Sequence, residues 1–378
     1  LQVTPELETG GAEQTTLDVA AAVVQAGGRS IVASRGGRMA GRLAESGAAL
    51  VEMPVQSKNP LTMLANAVRL AGLIEREKVS LIHVRSRAPA FSALIAARVT
   101  NIPFLATYHG LYGGGGALKR WYNAIMTRGD LVIANSEFTR AHVIAEHRID
   151  PARVVAIPRG VDLTRFDPAE VSAERIAALR ARWGIAPDEA RVKILLAGRL
   201  TRWKGQRLII EAAARLKAEG RSDFLIILAG DDQGRSGYRG ELEAAIAAAG
   251  LDGVVRLVGH CDDMPAACLV ADLVCAPSLQ PEAFGRTAVE PQAMGRPVLA
   301  ADHGGARETV SHGQTGWLVA PGDAAAWAAA LALAIDAGPE RRAEMGKAGA
   351  ARARRLYSAK AMCDATLALY ARLIRRRG

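Results

Sequence analysis

The 378 residues carry 48 Lys and Arg against 38 Asp and Glu, a net charge of +10, and half of them are hydrophobic. That length favours two domains, and that apolar share fills two cores and excludes a disordered chain. The positive balance suits phosphorylated substrates, anionic lipid or nucleic acid; with only 4% aromatic residues and no basic stretch interleaved with them, a single-stranded nucleic-acid platform is disfavoured.

In chain order the first half predicts strand Leu1–Thr4, helix Ala12–Ala26, strands Ser30–Ser34 and Ala48–Met53, helix Leu61–Glu77, strand Leu81–Val84 and helix Pro89–Val99. Strand Pro103–Tyr108, helix Leu118–Thr127, strand Leu131–Asn135, helix Glu137–His147 and strand Val154–Ile157 follow, and Arg159-Gly160-Val161-Asp162 reads as a linker turn. The pattern then restarts. Strands Val192–Ala197, Phe224–Ala229, Val254–Val258, Leu273–Ala276 and Pro297–Ala300 alternate with helices near Gly205–Ala218, Tyr238–Ala249 and Arg286–Met294. Such alternation implies two doubly wound parallel sheets, which bind ligands at the carboxyl ends of their strands, here in a cleft between the domains. The expected division is 1–165 and 166–357, with an Arg-rich last helix over 358–378 able to pack back on the first domain.

Four cysteines, Cys261, Cys268, Cys275 and Cys363, match no zinc spacing and no small disulfide framework, so reduced thiols in a cytoplasm are the simpler reading. No apolar run nears the roughly 18 residues of a membrane span. No signal peptide is visible, although the chain opens inside an apparent strand and that start carries little weight. Leu118-Lys119-Arg120-Trp121-Tyr122-Asn123-Ala124-Ile125-Met126 mixes basic and large apolar residues, behind the Gly113–Gly116 run. It reads equally as a buried helix with a basic end and as a helix lying on an anionic membrane surface.

Four segments carry candidate chemistry. In Pro281-Glu282-Ala283-Phe284-Gly285-Arg286-Thr287-Ala288-Val289-Glu290 two glutamates stand eight apart across a turn glycine and a helix start. Carboxylates suit sugar diols and helix-start amides suit phosphate; alone, the pair is as well read as a helix-start charge plus a solvated Glu. Ala197-Gly198-Arg199-Leu200-Thr201-Arg202-Trp203-Lys204-Gly205 follows the first strand of the second half and opens a helix, where two cations make a diphosphate site. Thr9-Gly10-Gly11-Ala12-Glu13 joins the first strand to the first helix; the glycines permit close approach of a phosphate or sugar, but it is no G-x-G-x-x-G, and a tight turn explains them better. Thr107-Tyr108-His109-Gly110 closes a strand at the same edge, and Arg85-Ser86-Arg87 closes another. If the chain stays extended at Arg85-Ser86-Arg87, both guanidinium groups point one way and form a fork for a carboxylate or phosphate; two surface arginines are the alternative.

Together these segments resemble glycosyltransferase family 4, the retaining enzymes of GT-B architecture, and among them the bacterial lipopolysaccharide and surface-glycan type. The likeness extends through Asn135-Ser136-Glu137-Phe138, Gly160-Val161-Asp162, Pro277-Ser278, Gly304-Gly305-Ala306-Arg307-Glu308 and Thr315-Gly316-Trp317-Leu318-Val319. It departs at Arg159, where the family often has Asn. The resemblance implies an α/β GT-B fold of two Rossmann-like domains, the first for the acceptor and the second for a UDP- or GDP-sugar donor. Arg199 and Lys204 would hold the diphosphate, with Gly11 and Gly198 near the phosphates. Glu290 would bind the ribose, and Glu282 with the backbone of Ala283, Phe284 and Gly285 the sugar hydroxyls. The donor-binding positions extend to Gly230 and His260, the base meeting backbone near Gly259–Cys261, and His109 would sit by the reacting carbon. The catalytic set is thus His109, Arg199, Lys204 and Glu282. Acceptor-binding positions are Glu13, Arg85, Ser86, Arg87 and Tyr108, for a glycan or lipid-linked acceptor at the cytoplasmic face of the membrane. No metal or other cofactor is expected, since fixed cations serve the leaving group and no Asp-x-Asp triplet is present. A GT-B phosphorylase, an epimerase-like enzyme, a non-catalytic sugar-nucleotide-binding module and a nucleic-acid-binding protein are the rival readings.

Overall fold

The computed structural model describes residues 1–8, 10–112, 116–232 and 236–376. The chain forms two compact units, Leu1–Gly160 with Ala359–Gly378, and Val161–Ser358.

The first unit runs β1 (Gln2–Val3), α1 (Gly11–Gln25), β2 (Ile31–Ser34), α2 (Ala40–Glu45), β3 (Ala49–Glu52), α3 (Pro60–Arg76), β4 (Ile82–Val84), α4 (Arg87–Val99), β5 (Phe104–Tyr108), α5 (Ala117–Asn123), β6 (Leu131–Ala134), α6 (Glu137–His147) and β7 (Val154–Ala156). The second runs α7 (Ala173–Arg182), β8 (Val192–Ala197), α8 (Gln206–Ala218), β9 (Phe224–Ala229), α9 (Ser236–Ala248), β10 (Val255–Gly259), α10 (Met264–Val270), β11 (Leu273–Ala276), α11 (Arg286–Ala293), β12 (Val298–Ala301), α12 (Ala306–Thr309), β13 (Gly316–Val319), α13 (Ala324–Asp336) and α14 (Gly338–Leu356). The last helix, α15 (Ala359–Arg375), returns to the first unit.

Both sheets are parallel. The first has the order β3-β2-β1-β4-β5-β6-β7 and the second β10-β9-β8-β11-β12-β13. Each therefore reverses direction once, between β1 and β4 and between β8 and β11, and ligands of open α/β sheets sit beyond the carboxyl ends of the strands at that reversal. The alternation along β9 shows why the second sheet is buried on both faces. Phe224, Ile226 and Leu228 join the core under α8 and α13, while Leu225, Ile227 and Ala229 join the one under α10 and α11. In the first unit Ile82, Val84, Phe104 and Val132 face one core; Leu105, Leu131 and Ile133 face the other, which α15 closes with Met362, Cys363, Leu369 and Leu373.

Several elements differ from the sequence expectation. The helix expected over Leu118–Thr127 is α only to Asn123 and tightens to a 3-10 turn over Ala124–Thr127. The Asn123 carbonyl accepts the Tyr108 hydroxyl at 3.1 Å, and its side chain is engaged by Arg87 and by the Tyr112 carbonyl, which fixes that turn in the core. The helix after β4 begins at Arg87 rather than Pro89. Helices α2, α7, α10, α12, α13 and α14 and strand β13 are not among the expected elements.

A buried polar chain crosses the first unit behind β4. His83, fully buried, lies between the Tyr370 hydroxyl on α15 and the Thr107 hydroxyl on β5, each 2.6 Å from a ring nitrogen. Burial, with the Arg85 charge beside it, pushes the His83 imidazole well below its usual value of 6.5, and burial does the same to His109. As pH falls through about 6.5 the unfolded chain takes up protons at these rings and the folded chain does not, so their contribution is present above that pH and lost below it. The melting temperature is expected to fall between pH 7 and pH 5.5, and His83→Gln to flatten that slope. A melting temperature constant over this range would contradict the assignment.

Candidate active site

At the reversal of the second sheet the loop after β8 and the loop after β11 lock together. Gly205 takes a left-handed φ of +81°, and a β-carbon there would stand 2.2 Å from the Pro277 carbonyl oxygen, so only glycine allows the approach. The Leu279 amide donates to the Trp203 carbonyl at 2.7 Å. This brings the Lys204 ammonium to 2.7 Å from Glu282 Oε1, with side chains 12% and 19% exposed. The Trp203 ring lies 4.5 Å from the ammonium, and the Ser278 hydroxyl donates to the same Glu282 oxygen. His303, delivered by the turn after β12, donates from Nε2 to the Ser278 carbonyl at 2.8 Å. Ser278, Glu282, Gly285, Thr287 and His303 line one small recess.

Two helices open towards this place without a side-chain cap. Gly205 precedes α8 and Gly285, with φ +88°, precedes α11; neither can offer a capping oxygen. First-turn amides of a helix lack intrahelical partners and carry the positive end of its dipole, which makes them anion sites. The Arg199 side chain is exposed and makes no ion pair among the described residues, while its carbonyl accepts from Gln206. Glu290 is held on its own helix by Arg286, Nε to Oε1 at 2.7 Å. Phe284 is 3% exposed and packs edge-on against Tyr357, so its backbone alone is available to a ligand. Ala283 lies between it and Glu282. Gly198 and Gly230 touch, since a β-carbon on Gly230 would be 2.0 Å from the Gly198 oxygen. His260, on the turn after β10, is exposed and 2.7 Å from Asp262. The second unit thus gathers Lys204, Glu282 and the amides around Gly285, with Arg199 exposed on the loop that carries Lys204, whereas Glu290 and His260 hold partners of their own.

In the first unit Gly10 and Gly11 open α1, again without a side-chain cap, and Glu13 folds back over Gly10; Thr9 lies outside the described residues, as do residues 113–115 of the glycine run. His109 Nδ1 stands 2.8 Å from an Arg159 guanidinium nitrogen, and its Nε2 is buried with no hydrogen-bond partner among the described residues. Tyr108 is fully buried, its hydroxyl between the Asn123 carbonyl and His147 Nε2 at 3.1 Å each, so the ring is a core residue. The extended fork expected of Arg85-Ser86-Arg87 does not form. The helix starts at Arg87, Ser86 is its N-cap residue, and the two guanidinium groups part. Arg85, 3% exposed, turns to Gln2 Oε1 at 2.9 Å, while Arg87 donates to Asn123 at 2.7 Å and lies 4.2 Å over the Tyr112 ring.

Ser278, His303, Trp203 and Arg286 are the neighbours that a residue-by-residue reading overlooked. Arg286 four residues before Glu290 was readable as a helical ion pair. His303 has no local signal, because β12 brings it from 21 residues beyond Glu282.

Two parallel Rossmann-like sheets, with two interlocked loops at the reversal of the second, define the GT-B class of α/β proteins. The family model described as glycosyl transferases group 1 matches residues 179–352, and that described as glycosyltransferase family 4 matches residues 9–165. The D-inositol 3-phosphate glycosyltransferase of Jonesia denitrificans is 31% identical over 301 residues, covering 74% of this chain and 68% of that one. Its counterpart from Kineococcus radiotolerans is 35% identical over 67% of this chain and 59% of its own. The chain spans between half and three-fifths of the length of the first curated relatives it matches. Among solved structures, a glycosyltransferase from Rickettsia africae superposes with a TM-score of 0.91 at 31% identity, covering 99% of this chain and 98% of that one. Anabaena HepE in complex with UDP-glucose superposes with a TM-score of 0.81 at 25% identity, covering 97% and 99%. The chain belongs to glycosyltransferase family 4. No helix among the described residues is long and apolar enough to cross a membrane.

Proposed function

We propose that the chain is a retaining glycosyltransferase that moves a sugar from a nucleotide-diphosphate sugar to an acceptor hydroxyl. The observation that carries this reading is the meeting of Lys204, Glu282 and two uncapped helix starts at the reversal of the second sheet, with Arg199, which makes no ion pair among the described residues, exposed on the loop that carries Lys204. Departing diphosphate gains negative charge, and fixed cations and amides stabilise it without reorganising. Lys204 and Arg199 take the diphosphate, and Glu282, held by Ser278, accepts from sugar hydroxyls. Glu290 takes the ribose diol, for which it trades part of its Arg286 contact. HepE is named in complex with UDP-glucose, which supports UDP over GDP. No carboxylate beside the reacting carbon is assigned as a nucleophile, so retention is read as front-face attack, the leaving phosphate taking the acceptor proton.

The acceptor is read as an acidic or phosphorylated glycan or lipid-linked sugar of the bacterial envelope, of which a lipopolysaccharide core is one case. Arg87, with no carboxylate within ion-pair distance among the described residues, offers the cation; the curated relatives are named for a phosphorylated inositol. On α5, Leu118 and Trp121 are 78% and 59% exposed beside Lys119 and Arg120, which suits an anionic membrane surface. The test is transfer from UDP-glucose in excess EDTA, with phosphorylated and neutral acceptors, with and without anionic vesicles. Transfer is expected to survive EDTA, to favour the phosphorylated acceptor and to be raised by the vesicles. Transfer abolished by EDTA and restored by manganese would contradict the cationic cradle; preference for a neutral soluble sugar would contradict the acceptor, and indifference to vesicles the membrane surface.

A further inference from the structure

His109 closes β5 at the carboxyl edge of the first sheet, and Arg159 follows β7 on the same edge. The Arg159 nitrogen Nη2 lies 2.8 Å from His109 Nδ1. A guanidinium has only donors, so Nδ1 must present its lone pair, and a ring that accepts there carries its proton on Nε2. That Nε2 is buried, with no acceptor among the described residues. The backbone is fixed separately: the Asn135 amide donates to the His109 carbonyl at 3.3 Å. The charged and titratable groups that face the ring are Arg159, Arg85 and His83, with Tyr112 at its backbone, and no carboxylate stands among them.

We propose that Arg159 is a positioning residue that locks His109 as the Nε2–H tautomer, and that this N–H binds an oxygen of the substrate. Held in this way, His109 donates a hydrogen bond and takes no proton during the reaction. A base at this position would need its lone pair on Nε2, and Arg159 keeps that lone pair on Nδ1. Burial and the two arginines hold the imidazole well below its ordinary range, so the ring stays neutral where the enzyme works. A buried N–H without an acceptor among the described residues calls for an oxygen, and a hydroxyl or phosphoryl oxygen of the substrate supplies one. The identity of that oxygen rests on the glycosyltransferase reading; the tautomer does not.

Nitrogen-detected NMR of the ring-labelled full chain tests the tautomer, His109→Gln assigning the signal among the seven histidines. The expected wild-type signal is a single Nε2–H ring that does not titrate from pH 8 to pH 5.5. Arg159→Met should give mixed tautomers, and Arg159→Lys, which keeps a cationic donor, should restore the wild-type pattern. With UDP-glucose and acceptor, kcat of Arg159→Met should fall about 10-fold or more, KM for the donor changing less. An Nδ1–H or charged ring in wild type would overturn the proposal without recourse to any variant. So would an unaltered ring signal in folded Arg159→Met. If wild type binds no UDP-glucose while its ring shows Nε2–H, the glycosyltransferase reading fails and the tautomer stands.

Discussion

Lys204→Ala and Glu282→Ala are each expected to lower transfer by about 100-fold or more with the fold intact, since each removes a group that stabilises charge or orientation in the transition state. The two variants should part company in binding. Lys204 and Glu282 hold each other at 2.7 Å, so an arriving diphosphate must take the ammonium from the carboxylate. Lys204→Ala therefore weakens UDP, and Glu282→Ala tightens UDP itself while weakening discrimination among donor sugars. The fold survives because each remaining partner keeps a second contact: Glu282 keeps the Ser278 hydroxyl and Lys204 keeps the Trp203 ring. Turnover and UDP affinity, measured on both variants, check this. Near-normal turnover in either variant at saturating donor would contradict the site, and weakened UDP binding in Glu282→Ala would contradict the exchange of counter-ions.

Gly230→Ala is expected to be strongly destabilising. The new β-carbon would stand 2.0 Å from the Gly198 oxygen and 3.5 Å from Leu200 Cδ2. The first contact is backbone on backbone, so no side chain can swing away. The Gly230 amide is tied to the Gly259 carbonyl at 2.8 Å and the Gly198 amide to Ala229 at 2.9 Å, so relief must move the ends of β8, β9 and β10 together. Overpacking of this kind costs about 3 kcal/mol or more, which is about 6–12 °C in the melting of a unit of this size. Because Gly198 opens the loop that carries Arg199 and Lys204, UDP affinity should fall as well. Gly240→Ala in α9, where an added β-carbon meets nothing within 4 Å, is the control and should be neutral or slightly stabilising. Calorimetry on the two variants decides it; a Gly230→Ala protein that melts with wild type would contradict the packing described.

The parallel sheets were legible because their strands are short continuous apolar runs such as Phe224–Ala229, bounded by Gly and polar turns. Helices α13 and α14 were not, since Ala324–Ala334 is alanine-rich enough to blur any 3.6-residue period. Asp323, which caps α13 through the amides of Ala325 and Ala326, was the available sign. In the site, the loops of the second unit could be read because Gly, cations and carboxylates sit at strand ends. The Lys204–Glu282 pairing could not, because it depends on Gly205 admitting the Pro277 carbonyl from another strand. The arginines after β4 misled for a local reason: helix α4 starts two residues early, and a helical residue does not continue a strand's alternation. His109 was legible by position, but its Arg159 partner arrives after β7, 50 residues away.

The proposed diphosphate cradle lies at the ends of β8 and β11. Isothermal titration of the full chain with uridine, UMP and UDP, repeated with Lys204→Ala, tests it. Affinity should rise steeply with each phosphate in wild type, fall with added salt, and lose most of the gain from UMP to UDP in the variant. Equal affinity for the three ligands, or a phosphate series unchanged in Lys204→Ala, would contradict it.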